Sequence, residues 1–201
     1  QNTIVVFTSD NGPWLSYGGH SGSPGIFREG KGTNWEGGHR VPMIAWWPGK
    51  IKAASKTDQT VCLTDIMATA AAITGFNLPN DSAEDSFSLL PVLLGKDKEP
   101  IRPYTLHQTK TTDLAIRRGK WKYLDHKGSA GSKYDRGGPW GMKKYALEEK
   151  APNAPGQLYD LEKDPGETNN LYNKHPEIVK ELKAILEATK KSGRSRPITQ
   201  Q

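Results

Sequence analysis

The sequence has few of the features that define membrane proteins or disulfide-rich proteins. Its 201 residues include a single cysteine, Cys62, so the chain forms no internal disulfide. It contains no uninterrupted apolar run of about 18 residues, the length that a helix needs to span a bilayer, so we predict no membrane span. Only 34% of the residues are hydrophobic, while 21 are glycine and 14 are proline. That composition indicates a chain rich in loops.

Positive charge is in excess, with a formal net charge of +6, and this raises the question of a polyanionic partner. The densest basic cluster, residues 117–122, alternates with apolar residues around Gly119 as a β-hairpin does. We therefore predict that these cations lie on solvated positions of a hairpin and that the protein binds no nucleic acid. A positive surface would still attract an anionic substrate by electrostatic steering.

The most informative stretch begins with four apolar residues, 4–7, which predict a strand buried on both faces, as in a parallel sheet covered by helices. Asp10 and Asn11 follow this strand. In open α/β sheets ligands gather at the carboxyl ends of the strands, and a carboxylate beside an amide carbonyl offers two hard oxygens suited to Ca²⁺ or Mg²⁺. We predict that Asp10 and Asn11 bind a divalent metal ion, and the alternative is that they are hairpin turn residues.

A glycine-rich passage comes next and leads to Lys31. Glycine lets the backbone approach a ligand closely, and lysine acts as a strongly hydrated point charge for an oxyanion. The combination suits a divalent cation and Lys31 that share one tetrahedral anion. A second apolar run, residues 43–47, predicts another buried strand, so a strand bounds the lysine loop on each side.

These motifs resemble the second half of the formylglycine-dependent sulfatases of the alkaline phosphatase superfamily. The resemblance rests on residues 9–12 (SDNG), 28–42 (REGKGTNWEGGHRVP) and 158–167 (LYDLEKDPGE). It implies that Asp10 and Asn11 are metal ligands, with Ca²⁺ as the usual metal and Mg²⁺ as a further possibility. It also implies that Lys31 binds the sulfate and serves in catalysis.

Two more residues of the same stretch are candidates to bind the substrate. His20 lies in the glycine-rich passage, where the family places residues near the substrate, and a solvated loop histidine is the alternative. Arg28 precedes the lysine motif, and the alternative is that it pairs with a carboxylate below the loop. We interpret Glu36 and Arg40 as a structural pair that fixes the loop.

One motif of the family is absent. Its nucleophile is a formylglycine made from the Cys or Ser of a C/S-x-P-x-R sequence, whereas Cys62 is followed by residues 63–66 (LTDI), without the proline or the arginine. We therefore interpret Cys62 as a small buried hydrophobic residue. We interpret the chain as the C-terminal portion of a longer protein, with the formylglycine and the other metal ligands upstream. The resemblance then implies a sulfatase that cleaves a sulfated small molecule or glycan, secreted or periplasmic as the family commonly is.

Three other functions compete with this interpretation. A non-catalytic relative would bind sulfated glycans without turnover, and a phosphate or phosphonate monoesterase of the same superfamily would combine a metal site with basic residues in the same way. Residues 25–32 (GIFREGKG) also come within one residue of a nucleotide-binding P-loop. However, Gly32 replaces the hydroxyl residue that would hold Mg²⁺, and residues 33–38 make a poor start for a helix.

The predicted fold class is α/β: the C-terminal part of an alkaline-phosphatase-like sandwich with a mainly parallel sheet, followed by a small α+β unit. We assign the metal and sulfate loops to a first domain, residues 1–100. Within it we predict a helix of about ten residues, with Thr64 as its N-cap and Gly75 just past its end, that packs through Ile66, Met67, Ala70 and Ile73. The second domain, residues 101–201, has an antiparallel sheet and a C-terminal helix that begins near Pro176.

The long segment of residues 125–156 shows no periodic pattern and is punctuated by glycine and proline. Loops of this length in compact domains are commonly functional or disordered. Our hypothesis is that this loop overhangs the pocket and helps to choose the substrate.

Overall fold

The structure is a computed structural model that describes residues 2–129 and 147–198. It divides into two compact units. The first unit takes its residues from 1–8, 43–105 and 187–201, and the second takes them from 9–42 and 106–186. This division differs from the predicted domains 1–100 and 101–201, because residues 9–42 bond to the sheet formed after residue 105.

In the first unit, strands β1 (Val5–Thr8) and β2 (Met43–Trp46) form where the two apolar runs predicted them. The strands pair antiparallel, with Val5 opposite Trp46 and Thr8 opposite Met43. The α/β class is confirmed, but the expected mainly parallel sheet is wrong for the described residues. Because Thr8 pairs with Met43, the intervening residues 9–42 leave and rejoin the same end of the ribbon.

The side chains of this ribbon are also more exposed than predicted. Phe7 is 69% exposed and Ile44 is 63% exposed, and their neighbours in the two strands are half-buried or exposed. A strand is buried on both faces only where other layers cover both faces. In the described part of the chain the ribbon has two strands and no third, so the prediction of burial on both faces is wrong.

Helix α2 (Asp65–Thr74) ends as predicted, since Gly75 adopts a left-handed conformation and its N–H donates to the Ala71 carbonyl. The predicted packing face is wrong. The four residues predicted to pack, Ile66, Met67, Ala70 and Ile73, are all exposed. The apolar spacing of the helix therefore does not identify the side that packs inward.

The buried side of α2 is polar, and each polar group on it has a partner. The Asp65 carboxylate accepts the backbone N–H groups of Cys62 and Phe87 and pairs with Arg102. The Thr69 hydroxyl oxygen accepts the N–H of Leu89, just before the short helix α3 (Leu90–Leu93), whose first turn contains a proline. Buried polar groups are tolerated when they are hydrogen-bonded, which is the case here.

The second sheet has four strands: β3 (Thr105–Gln108), β4 (Leu114–Arg118), β5 (Trp121–Leu124) and β6 (Gln157–Asp160). Their order in the sheet follows the chain, and the β4/β5 and β5/β6 pairs are antiparallel. The β4/β5 and β5/β6 pairs confirm the predicted antiparallel sheet. Gly119 turns the β4–β5 hairpin with a positive φ of 57°, a conformation that glycine adopts without strain.

The core of this second unit lies on strands β4, β5 and β6. Ile116, Tyr123, Leu124, Leu158 and Tyr159 are each 1% exposed or less. Helix α4 (Pro176–Ser192) confirms the predicted C-terminal helix, and Val179, Leu182 and Leu186 form its buried stripe. In the described residues no helix is both long and apolar enough to cross a bilayer. Residues 130–146, the middle of the predicted overhanging loop, lie outside the described residues. The hypothesis that this loop helps to choose the substrate therefore stays a prediction.

Candidate functional site

The turn that carries Asp10 and Asn11 is bonded to a distant part of the chain through its backbone. The N–H of Gly12 donates to the Gly38 carbonyl at 2.9 Å, and the Ser9 hydroxyl donates to the Asn11 carbonyl at 2.9 Å. No side chain fits at position 12, since a Cβ there would lie 1.8 Å from the Gly37 carbonyl oxygen. The close approach of the two backbones therefore fixes where the turn lies.

The lysine loop is held against the same turn. The N–H of Lys31 donates to the Pro13 carbonyl at 3.0 Å, and a Cβ on Gly30 would lie 2.2 Å from that carbonyl oxygen. Within the loop, the Thr33 hydroxyl donates to the Gly30 carbonyl at 2.9 Å. Glycines thus serve here for the close contact of three backbone segments, which brings the turn and the lysine loop side by side.

These segments surround an open cavity of about 830 Å³ within the second unit. Asp10, Asn11, His20 and Lys31 all line it. Asp10, His20 and Lys31 are exposed and Asn11 is half-buried, so all four are accessible to a ligand. The structure therefore brings four of the five predicted site residues to one cavity.

Arg28 is the predicted residue that the structure does not bring to the cavity. It is buried, its Nη1 donates to the Tyr159 hydroxyl at 3.1 Å and to the Glu167 carbonyl at 2.9 Å, and its guanidinium lies 3.8 Å above the Trp35 ring. An arginine enclosed in this way supports the loop from below. The structure therefore does not support the prediction that Arg28 binds the substrate. Its partners are a hydroxyl and a carbonyl, and not the carboxylate of the alternative prediction.

The chemistry of Asp10 and Asn11 fits part of a hard-metal site. One carboxylate and one amide carbonyl are oxygen donors of the kind that Ca²⁺ and Mg²⁺ prefer. Among the described residues, no group of three or more His, Cys, Asp or Glu side chains could hold a metal ion. Since Ca²⁺ takes about six to eight oxygen ligands, these two residues would supply only part of a coordination sphere.

Cys62 lies in the first unit and does not line the cavity. It is half-buried, and burial raises the pKa of its thiol to about 11, against the opposing charge of Arg102. A thiol with so high a pKa stays protonated at neutral pH and is a poor nucleophile.

Beneath the lysine loop lies a cluster of buried charge that sequence reasoning missed. The Lys122 ammonium lies 3.0 Å from a carboxylate oxygen of Glu36 and 3.0 Å from one of Glu167, and all three side chains are fully buried. The second oxygen of Glu167 accepts the backbone N–H of Glu36 at 2.6 Å. This bond anchors the start of the short helix α1 (Glu36–His39), whose residue Gly38 accepts from Gly12.

The predicted pairing of Glu36 with Arg40 is confirmed, at 3.3 Å, but it is one contact of several. Arg117 reaches the same Glu36 oxygen at 3.3 Å. Lys122 had been predicted to lie on a solvated face of the hairpin, and this is wrong. The alternation of residues along β5 could not have revealed it, because it places Lys122 on the face opposite Trp121 and Tyr123, whereas the structure buries Lys122, Tyr123 and Leu124 in succession.

Burial and charge set the protonation of this cluster. Burial alone raises the pKa of Glu36, but Lys122 and Arg117 outweigh it and hold that pKa below its usual value. Burial raises the pKa of Glu167 to about 7, against the opposing charge of Lys122 and with a contribution from the Glu36 carboxylate. Of the two carboxylates that share Lys122, Glu36 is thus the one that stays ionised at lower pH.

A histidine completes the buried cluster. His39 Nε2 lies 3.1 Å from the Lys122 ammonium, and its ring stacks on His107 with centroids 3.6 Å apart. Burial, the adjacent His107 and Lys122 hold the pKa of His39 well below its usual value. His39 is therefore neutral at physiological pH and adds no charge beneath the cavity.

Comparison with known proteins places these segments in a family. The model of the Sulfatase family matches residues 1–76, which include the turn, the lysine loop and α1. The chain is 38% identical over 199 residues to N-acetylgalactosamine-6-O-sulfatase of Bacteroides thetaiotaomicron, covering 94% of this chain and 36% of the relative. It is 36% identical over 194 residues to human arylsulfatase A, covering 92% of this chain and 37% of the relative.

The fold agrees with these relatives. The crystal structure of the PsFucS1 sulfatase from Pseudoalteromonas superposes with a TM-score of 0.74 at 25% identity, covering 99% of this chain and 39% of that one. The chain thus spans a little over a third of the length of the proteins it matches. Its sequence motifs, its backbone fold and the family match on its site segments agree, and the chain belongs to the sulfatase family.

Proposed function

We propose that the complete protein is a sulfuric ester hydrolase and that the cavity described above forms part of its active site. The observation that carries this proposal is the contact of three backbone segments, which brings Asp10, Asn11 and Lys31 to one cavity. The carboxylate of Asp10, the amide of Asn11 and the ammonium of Lys31 around one cavity suit the tetrahedral anion of a sulfate ester.

In this proposal Lys31 binds the sulfate. Its side chain is exposed in the cavity while its backbone N–H is fixed to Pro13, so the ammonium can meet an anion without rearrangement of the loop. A charge-assisted hydrogen bond of this kind contributes about 1.5 to 3 kcal/mol. If the bond strengthens as charge develops on the sulfuryl oxygens, it lowers the barrier as well as the dissociation constant.

Asp10 and Asn11 would hold a divalent metal ion, Ca²⁺ or Mg²⁺, which when bound polarises sulfuryl oxygens as a Lewis acid. The two residues supply oxygens of the right hardness, and the bond from Gly12 to Gly38 keeps them at the cavity. The remaining ligands and the formylglycine nucleophile typical of the family would come from parts of the complete protein outside this sequence. Export from the cytoplasm is part of the same proposal, by analogy with the family.

The proposed substrate class is a sulfated saccharide, on the analogy of the relative named as an N-acetylgalactosamine-6-O-sulfatase. The test is to express the complete protein and to measure the release of inorganic sulfate from N-acetylgalactosamine 6-sulfate. Lys31→Ala should lower turnover by about one to three orders of magnitude. Lys52→Ala removes an exposed lysine that does not line the cavity and serves as the matched control. Near-normal turnover in Lys31→Ala would refute the role of this residue.

A non-catalytic sulfated-glycan-binding protein is the second candidate, because an exposed lysine in an open cavity can bind a sulfated glycan without cleaving it. The same experiment separates the two functions. Binding of N-acetylgalactosamine 6-sulfate that depends on Lys31, without any release of sulfate by the complete protein, would favour the binding function over the hydrolase.

A further inference from the structure

We propose that Trp14 and Tyr17 form an aromatic platform that binds the sugar ring of a sulfated saccharide beside Lys31. This inference rests on the proposed function and adds the residues that would recognise the part of the substrate other than the sulfate. We define the platform as the side chains of Trp14 and Tyr17.

Both side chains of the platform are open to solvent. Trp14 is 52% exposed and Tyr17 is 47% exposed, although both are large aromatic side chains. Large apolar surface left open to water beside a cavity commonly marks a binding site. Both residues line the cavity that also contains Lys31.

The two rings of the platform are held in place by each other and by the backbone. The two rings meet edge to face, with centroids 4.4 Å apart and planes at 70°. The N–H of Tyr17 also donates to the Trp14 carbonyl at 2.9 Å, so the short 3-10 segment that begins at Leu15 holds the backbone of the pair. Rigid aromatic side chains lose little conformational entropy on binding, which makes them effective anchors.

The distance between Lys31 and the Trp14 ring suits a sugar sulfate. The Lys31 ammonium lies 5.9 Å from the centroid of the Trp14 ring, at the outer limit of a cation–π contact, so it does not cover the ring. In a sugar sulfate only the ester oxygen and at most one carbon separate the sulfur from the pyranose ring. A sulfate bound by Lys31 therefore leaves the attached ring within reach of the Trp14 face.

The platform and a pyranose ring are chemically complementary. A galacto-configured pyranose has one face on which several C–H bonds point the same way, and these bonds carry a partial positive charge. The face of an aromatic ring is electron-rich, so the two surfaces attract each other and also exclude water. The hydroxyl groups of the sugar would then point to polar side chains of the cavity, among them His20.

The test measures the dissociation constants of the two reaction products, which the enzyme does not consume. Ligand-observed NMR titrations of the complete protein would use N-acetylgalactosamine and inorganic sulfate as probes. Trp14→Leu should weaken the binding of N-acetylgalactosamine about tenfold while it changes the binding of sulfate less than about twofold. Trp14→Phe keeps an aromatic face and should retain most of the affinity for the sugar.

The chain offers a matched control. Trp121 also has a lysine over its ring, with the Lys120 ammonium 5.2 Å from the centroid, but it does not line the cavity. Trp121→Leu should leave both dissociation constants unchanged. Folding of each variant is checked by its thermal unfolding curve before the titration.

The outcomes separate the two proposals. Equal affinity of the wild type and of Trp14→Leu for N-acetylgalactosamine, or no measurable binding of this sugar to the wild type, would overturn the platform. A wild type that releases no sulfate from N-acetylgalactosamine 6-sulfate would overturn the hydrolase function. In that event, sugar binding that depends on Trp14 would still support the platform.

Discussion

Two groups of charged residues in the second unit differ in their exposure to water and, we argue, in their task. The cavity residues Asp10 and Lys31 are exposed, whereas Glu36, Lys122 and Glu167 are fully buried. Exposed charges lose little solvation on folding and remain free to meet a ligand. Buried charges lose their solvation, so they persist only when they pair closely. The buried cluster therefore fixes the backbone that carries the exposed residues, through the bond from Glu36 to Glu167 and the bond from Gly12 to Gly38.

The largest expected effect comes from removing the shared cation of the buried cluster. Lys122→Met leaves two buried carboxylates without their common partner and should lower the free energy of unfolding by about 3 to 5 kcal/mol. Lys120 is the matched control, since it pairs with Asp160 at 3.1 Å but is partly exposed. Lys120→Met should cost less than about 1 kcal/mol. Urea unfolding of both variants measures the difference, and similar losses would contradict the distinction between buried and exposed charge.

The next largest effect is expected at Gly12, whose backbone links the turn of Asp10 and Asn11 to helix α1. Gly12→Ala places a Cβ 1.8 Å from the Gly37 carbonyl oxygen, so one of the two backbones must move. We expect a loss of about 1 to 3 kcal/mol in the free energy of unfolding, together with a clear fall in turnover because the turn carries Asp10 and Asn11. Gly166→Ala is the control, because its Cβ would meet its nearest neighbour at 3.2 Å. Wild-type turnover in Gly12→Ala would show that this contact does not position the turn.

The smallest of these effects concerns pH. The pKa of Glu167 is raised to about 7 in the folded protein, above its usual value of 4.5. Between these values the folded state holds a proton that the unfolded state has lost, so this group's contribution to stability falls as pH rises through that window. In Glu167→Gln the contribution is absent. The stability of the wild type relative to Glu167→Gln should therefore decrease from pH 4.5 to pH 7. A difference that does not change with pH would contradict the raised pKa.

The exposed residues of the site could be predicted from the sequence, and the buried ones could not. Asp10, Asn11 and Lys31 stand in short motifs whose chemistry is local, and the structure brings them to one cavity. Glu167 is 131 residues from Glu36, and no local sequence pattern predicts that the Glu167 carboxylate accepts the backbone N–H of Glu36. Arg28 shows the same limit, because its partner Tyr159 is also 131 residues away.

The fold was predictable for a similar reason where local signals decide it. Helix α4 and the β4–β5 hairpin follow from periodicity and turn residues. The direction of pairing between β1 and β2 does not, since an uninterrupted apolar run is typical of a buried parallel strand, yet here two such runs pair antiparallel. The inward face of α2 was missed because Asp65 is buried with Arg102, a long-range pair that reverses the usual inference from hydrophobicity.

The most direct test of the central claim is a double-mutant cycle between Asp10 and Lys31, measured as kcat/KM of the complete protein for N-acetylgalactosamine 6-sulfate. If both residues act on one anion, the loss in Asp10→Ala/Lys31→Ala should be smaller than the product of the two single losses by about tenfold or more. Losses that multiply to within about twofold would mean that the two residues act independently, and that this cavity does not gather them around a single sulfate.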